Sequence, residues 1–186
     1  MKRFLVKDLM VPISEYATVS LGSTLSEAVS ALEKAQEEYN HTHYRHRAVL
    51  VLDNNKQVVG KLSQMDFLRS LESRDEKIER IKEIRKFGFS SKSIALQQEQ
   101  YHQKMPGSSD MYARAIKLKV EDFMQAPSEG EFVNGNTSLN TAVHQLVTGH
   151  HLSLLVTQKK KIVGVLRMSD VFAAAFHVIK EVEATE

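Results

Sequence analysis

The sequence predicts a mixed α/β (α+β) fold: two pseudo-symmetric units packed sheet to sheet, with a helical insertion between them. Three repeats predict it. Val6-Lys7-Asp8-Leu9-Met10 returns as Val120-Glu121-Asp122-Phe123-Met124, and the stripe Leu25, Ala28, Val29, Leu32 returns as Leu139, Ala142, Val143, Leu146. Val59-Gly60-Lys61-Leu62 returns as Val163-Gly164-Val165-Leu166. The first two repeats are offset by 114 positions and the third by 104, so the first copy carries ten extra residues, about Gln36 to Arg45.

Each copy opens on a short extended lead-in. The apolar positions i, i+3, i+4 and i+7 then mark one face of a helix, and Thr24 with Glu27 forms a capping box at its start. A β-branched and aliphatic run follows, Ala48 to Leu52 or Leu152 to Thr157. The polar turns Asp53-Asn54-Asn55-Lys56 and Gln158 to Lys161 close it as the first strand of a hairpin. The second strand, Gln57 to Leu62 or Ile162 to Arg167, runs into an apolar helical stretch, Phe67 to Leu71 or Val171 to Ile179. A unit of about 55 to 60 residues buries too little apolar surface to stand alone, so the two sheets are expected to cover each other.

The chain divides into unit 1 (1–72), a helical insertion (73–118) and unit 2 (119–186). Within the insertion, Asp75 to Lys86 carries Ile78, Ile81 and Ile84 amid alternating charges, Ser90 to Lys104 reads as a second helix, and Asp110 to Leu118 as a third. A solvated connector or dimer arm and a partner-binding arm both fit this segment.

Composition excludes several classes of function. The chain has 186 residues, 42% of them hydrophobic, enough for one well-buried domain. Basic and acidic side chains number 25 and 23, so the overall field that nonspecific nucleic-acid binding needs is missing. There is no cysteine. No stretch approaches the ~20 apolar residues of a membrane span, and Met1-Lys2-Arg3-Phe4 opens no signal peptide, so a soluble cytoplasmic protein is expected. No Gly-x-Ser-x-Gly, Walker loop or Gly-x-Gly-x-x-Gly occurs, and an enzyme is not expected. His41-x-His43-x-x-His46 lacks cysteine and carboxylate company and reads as a solvated loop, so no metal site is assigned. Phe87-Gly88-Phe89 reads as a helix end.

The ordered set h-x-D-h-M, L-x-x-A-h-x-x-L, and strand-turn-strand closing on G-h-h-[ST]-x-x-D, present twice, resembles the tandem cystathionine-β-synthase (CBS) domain pair, or Bateman module. The resemblance covers about two thirds of the chain. It implies a regulatory, non-catalytic module that requires no cofactor and binds AMP, ADP, ATP or S-adenosylmethionine between its copies. In copy one it places Ser63 and Asp66 on ribose and phosphate; the same Ser-x-x-Asp also reads as a capping box, and both readings stay open. Copy two keeps Asp170 but has Arg167 in the hydroxyl position, where it contacts phosphate, fills the pocket, or ends a strand in solvent. Arg47 and His151 occupy the basic position that reaches phosphates. The adenine is placed against Ala17, Thr18 and Val19 in copy one and Phe132 and Val133 in copy two. The expected function is an adenosyl-ligand sensor that signals to a protein effector through a change of packing. The alternative is a ligand-free oligomerisation scaffold whose insertion binds another protein. A homodimer is expected through Val171, Phe172, Ala175, Phe176 and Ile179.

Overall fold

The computed structural model describes residues 4–38, 45–71 and 108–183; the helices expected at Asp75–Lys86 and Ser90–Lys104, and His41 and His43, lie outside them. Copy one contains α1 (Val6–Leu9), β1 (Val11–Pro12), a 3-10 turn (Ile13–Glu15), β2 (Thr18–Ser20), α2 (Leu25–Glu38), β3 (Ala48–Leu52), β4 (Val58–Ser63) and α3 (Gln64–Leu71). Helix α4 (Ser108–Ala115) precedes copy two. That copy contains 3-10 turns at Val120–Asp122 and Glu129–Glu131, β5 (Phe132–Asn134), α5 (Leu139–Thr148), β6 (Ser153–Gln158), β7 (Lys161–Arg167) and α6 (Met168–Glu183).

Capping fixes where the first long helix of each copy begins. Glu27 Oε2 accepts from the Thr24 backbone N–H at 2.6 Å, and Thr24 Oγ1 accepts from the Glu27 N–H at 3.2 Å, closing the expected box. In copy two, Ser138 Oγ accepts from the Thr141 N–H at 3.3 Å. Leu25, Ala28, Ala142 and Leu146 face the core as their spacing requires. Val29 and Val143, expected on the same face, instead stand exposed at its rim in both copies. Helix α2 has 14 residues against 10 in α5, so part of the copy-one expansion lengthens the helix.

In each copy a parallel strand and an antiparallel hairpin make a small sheet: β2-β3-β4 in copy one, and β5-β6-β7 in copy two. Copy two gains a fourth strand from copy one, because β1 pairs antiparallel with β7, Val11 opposite Val165 and Pro12 opposite Gly164. Pro12 is tolerated there because this short strand lies at the sheet edge.

The same exchange runs through both lead-ins. The Val6 N–H donates to the Thr137 carbonyl and the Lys7 N–H to that of Gly135, both at 3.0 Å. In return the Val120 N–H donates to the Ser23 carbonyl at 3.0 Å, and Lys61 and Gln125 exchange backbone bonds at 2.9 Å. The side chains follow. Val6, Leu9 and Met10 pack into the copy-two core with Val133, Leu146, Leu154 and Leu166. Val120, Phe123 and Met124 pack into the copy-one core with Ala28, Val49, Val51 and Leu62. A third core, Val11, Tyr16, Leu50, Leu155 and Val165, lies between the sheets, which pack face to face as the sequence implies.

Two repeated residue types now have a cause. A Cβ at Gly60 would overlap Met124 Sδ, and one at Gly164 would lie 2.6 Å from the Val11 carbonyl oxygen and 2.9 Å from Met10 Sδ. Each copy keeps a glycine in its last strand because the other copy's methionine crosses there. Gly164→Ala is therefore expected to cost about 2 kcal/mol, since backbone must move, and Gly60→Ala less, since Met124 can rotate away. Urea midpoints rank the two variants; equal midpoints would contradict a close backbone approach at Gly164.

Candidate functional site

The site grows from the residues that lead into the inner strands. Arg45, His46 and Arg47 lead directly into β3, and their exposure alternates, the two arginines exposed and His46 buried. Arg45 and Arg47 line a cleft of about 420 Å³ between the copies, while His46 turns inward and is fully buried. From copy one the cleft also receives Lys61, Ser63, Met65 and Arg69. Copy two supplies Gln125, Glu131, His150, His151, Leu152, Arg167 and Met168. Lys61 and Ser63 stand two apart on β4 and so share a face.

Cations outnumber anions here. Lys61 Nζ lies 3.4 Å from Glu131 Oε1, and His151 Nδ1 lies 3.9 Å from the same oxygen. Arg69 Nη1 donates to Asp66 Oδ1 at 2.8 Å. Among the described residues, no carboxylate pairs with Arg45 or Arg47.

Asp66 sits behind the cleft wall, 2% exposed. Its carboxylate accepts from the Ser63 N–H at 2.8 Å, from Ser63 Oγ–H at 2.5 Å and from Gln125 Nε2 at 2.7 Å, in addition to Arg69. The Asp66 N–H donates to Ser63 Oγ at 3.3 Å, which completes a capping box for α3. Burial pushes the Asp66 carboxyl up, but these donors, Ser63 first, outweigh it and hold the group below its ordinary value.

In copy two the arginine takes over. Arg167 Nε donates to Asp170 Oδ2 at 2.5 Å and Nη2 to Oδ1 at 2.6 Å, a bidentate pair with the arginine only 4% exposed. A strand end reaching solvent is thereby corrected: the guanidinium is drawn inward by Asp170 and by His46 of the other copy. Arg167 Nη1 lies 3.3 Å from His46 Nδ1. A guanidinium only donates, so Nδ1 accepts and the proton of the neutral ring sits on Nε2. Burial, with the Arg167 charge beside it, pushes the His46 pKa down to about 4. Tyr16 packs edge-on against His46 at 4.6 Å, and burial drives its phenol up to about 12. His46 is thus no solvated loop residue, because its ring closes the seam between the copies.

Of the residues nominated from sequence, the fold brings Arg47, Ser63, His151 and Arg167 together in this cleft. Asp66 and Asp170 stand behind it, bound to Ser63 and Arg167. Ala17, Thr18, Val19, Phe132 and Val133 do not line it; Ala17 and Val133 belong to the cores. Sequence reasoning missed Arg45, Lys61, Arg69, Gln125 and Glu131. Strand alternation could have found the first two, since each stands two residues from a nominated one. Gln125 and Glu131 carry no local signal, because they reach the cleft only through the exchange of lead-ins. Among the described residues no side-chain group suits a metal ion, and no helix is long and apolar enough to cross a membrane. On α6, Phe172, Ala175, Phe176 and Ile179 are exposed, but Val171 is buried in the copy-two core against the expectation for a dimer face.

Comparison with known proteins supports the two-copy reading. The CBS domain family model matches residues 6–73 and 120–177. A crystal structure of CBSX2 in complex with AMP is similar over 94% of this chain and 98% of that chain, with 20% identity and a TM-score of 0.59. CBS-pair protein CBSX2 from Arabidopsis thaliana gives 17% identity over 96% and 99%, with a TM-score of 0.60. A CBS domain-containing protein of unknown function from Bacillus anthracis gives 16% over 94% and 94%, with a TM-score of 0.61. These likenesses concern the fold. No curated protein matches the chain.

The buried seam generates two predictions. The folded pKa of His46, about 4, lies below its ordinary 6.5, so the unfolded chain takes up this proton first. Stability should fall as pH drops from 6.5 to 4, by of order 3 kcal/mol from this group, and His46→Gln should flatten that window in urea midpoints. Arg167→Met strands a largely buried Asp170 carboxylate and should cost about 3 kcal/mol, with Arg167→Met/Asp170→Asn recovering most of it. Equal midpoints for the single and double variants would show that the pair is not what the seam depends on.

Proposed function

The chain belongs to the CBS-domain family, and from that premise we propose that it is a regulatory module that senses an adenosyl ligand in the cleft between its copies. The ligand is AMP, ADP, ATP or S-adenosylmethionine, and the output is a change in how the copies pack, read by a partner protein. One observation carries this reading: a cationic cleft lined by both copies, with Arg45 and Arg47 from one and His150 and His151 from the other. The AMP complex of the similarly folded CBSX2 supports it.

In this reading Arg47, with Arg45, meets the first phosphate, and His151 from the other copy reaches the phosphates beyond it. Asp66 accepts the Ser63 O–H, and the Asp66 N–H takes one Ser63 lone pair, which leaves the other to accept from a ribose hydroxyl. Asp66 therefore acts through Ser63. Met65, Leu152 and Met168 offer exposed apolar atoms in the cleft, and a flat base needs such contact. A ligand that touches both copies binds one relative placement of them better than another, and that differential affinity shifts the packing. Phe172 and Phe176, stacked at 6.3 Å on exposed α6, and Leu68 on α3 give a homodimer its apolar face. A ligand-free scaffold remains the second reading, favoured by the fact that both motif carboxylates, Asp66 and Asp170, are already engaged inside the protein.

Calorimetric titration with AMP, ADP, ATP and S-adenosylmethionine separates the two. Binding by at least one of them, weakened about tenfold or more in Arg47→Ala through loss of a charge-assisted contact, is the expected result. No heat from any of them at millimolar concentration supports the scaffold instead.

A further inference from the structure

We propose that Glu131 counts phosphates: its carboxylate latches the two copies across the cleft, a single phosphate binds with the latch shut, and a second phosphate must displace it. This rests on the cleft being the ligand site. Glu131 comes from copy two, and its carboxylate meets Lys61 of copy one at 3.4 Å, with His151 at 3.9 Å from the same oxygen. It lies where an anion would lie, with its side chain 15% exposed. The turn that carries it is held by other means. Gln145 Nε2 donates to the carbonyls of Gly130 at 2.7 Å and Phe132 at 2.9 Å, so the carboxylate is not needed for the local fold.

The charge balance makes the latch discriminating. Asp66 answers Arg69, and Asp170 answers Arg167. Among the described residues, that leaves Arg45 and Arg47 without a carboxylate, and their two charges match one phosphate dianion. A second phosphate has only Lys61 and the imidazoles left to meet, and Glu131 already occupies Lys61. Like charges this close repel strongly in a partly enclosed site, so the carboxylate leaves when the second phosphate arrives. Monophosphate and oligophosphate ligands then produce different states, with the copies latched in one and released in the other.

Calorimetry with AMP, ADP, ATP and inorganic tripolyphosphate on wild type, Glu131→Gln and Lys61→Met tests this, with circular dichroism to show that each variant is folded. Glu131→Gln should tighten ADP, ATP and tripolyphosphate about tenfold and leave AMP within about twofold, whereas Lys61→Met should weaken the oligophosphates and spare AMP. Equal effects on AMP and ATP, or none on ATP, overturn the latch while leaving adenosyl sensing intact. Tripolyphosphate binding that tightens in Glu131→Gln without any adenosyl ligand binding upholds the latch and overturns adenosyl sensing. Absence of binding by every anion overturns both.

Discussion

A repeat of this size cannot enclose a core of its own, and the rest of the architecture follows from how the chain meets that constraint. Each copy lends its lead-in to the other. Val6 and Met10 complete the core of copy two, Val120 and Met124 that of copy one, and each methionine crosses the partner's strand at a glycine. The exchange also builds the cleft. Gln125 follows directly on the exchanged Met124, and its backbone pairs with Lys61, so this cleft wall is a by-product of core completion.

Pseudo-symmetry holds in the backbone and fails in the polar seam. In copy one the motif acid ties down its own serine and caps a helix. In copy two it ties down an arginine that would otherwise be a bare charge between the sheets. Burying a guanidinium costs several kcal/mol unless its hydrogen bonds are met, and Asp170 meets two of them in parallel while His46 accepts a third. His46 stays neutral because it is buried and because a protonated ring beside Arg167 would place two cations together in the seam. Arg167 thus fixes the tautomer of a residue 121 positions away and adds to the burial that keeps it neutral.

The fold was largely legible because its signals are local and written twice. Helix faces, capping boxes, hairpin turns and strand order all depend on residues a few positions apart. Sheet-to-sheet packing followed from size alone. Val29 and Val143 misled, since helical spacing identifies a stripe but not how far the neighbouring sheet covers it. The site was half legible. Arg47, His151, Ser63 and Arg167 sit at strand ends that the repeat locates. Glu131 and Gln125 were hidden because their positions depend on the crossing of two distant segments, and a sequence offers no distance between residues separated by 70 positions. Asp66 shows the opposite limit: the motif located it correctly, but whether its oxygens face a ligand or the protein depends on Gln125 and Arg69.

The alternation of Arg45, His46 and Arg47 sets how the chain tolerates insertions and deletions. These three residues place two guanidinium groups in the cleft and one imidazole in the sheet-to-sheet seam, on a backbone whose side chains change face at every step. Deleting Arg47 itself would reverse the assignment, putting a histidine in the anion cleft and an arginine against Tyr16 and Arg167. Length changes upstream of Arg45 leave this parity intact, and the ten-residue difference between the copies falls there. The expansion is accommodated where it leaves the facing of the inner strand unchanged.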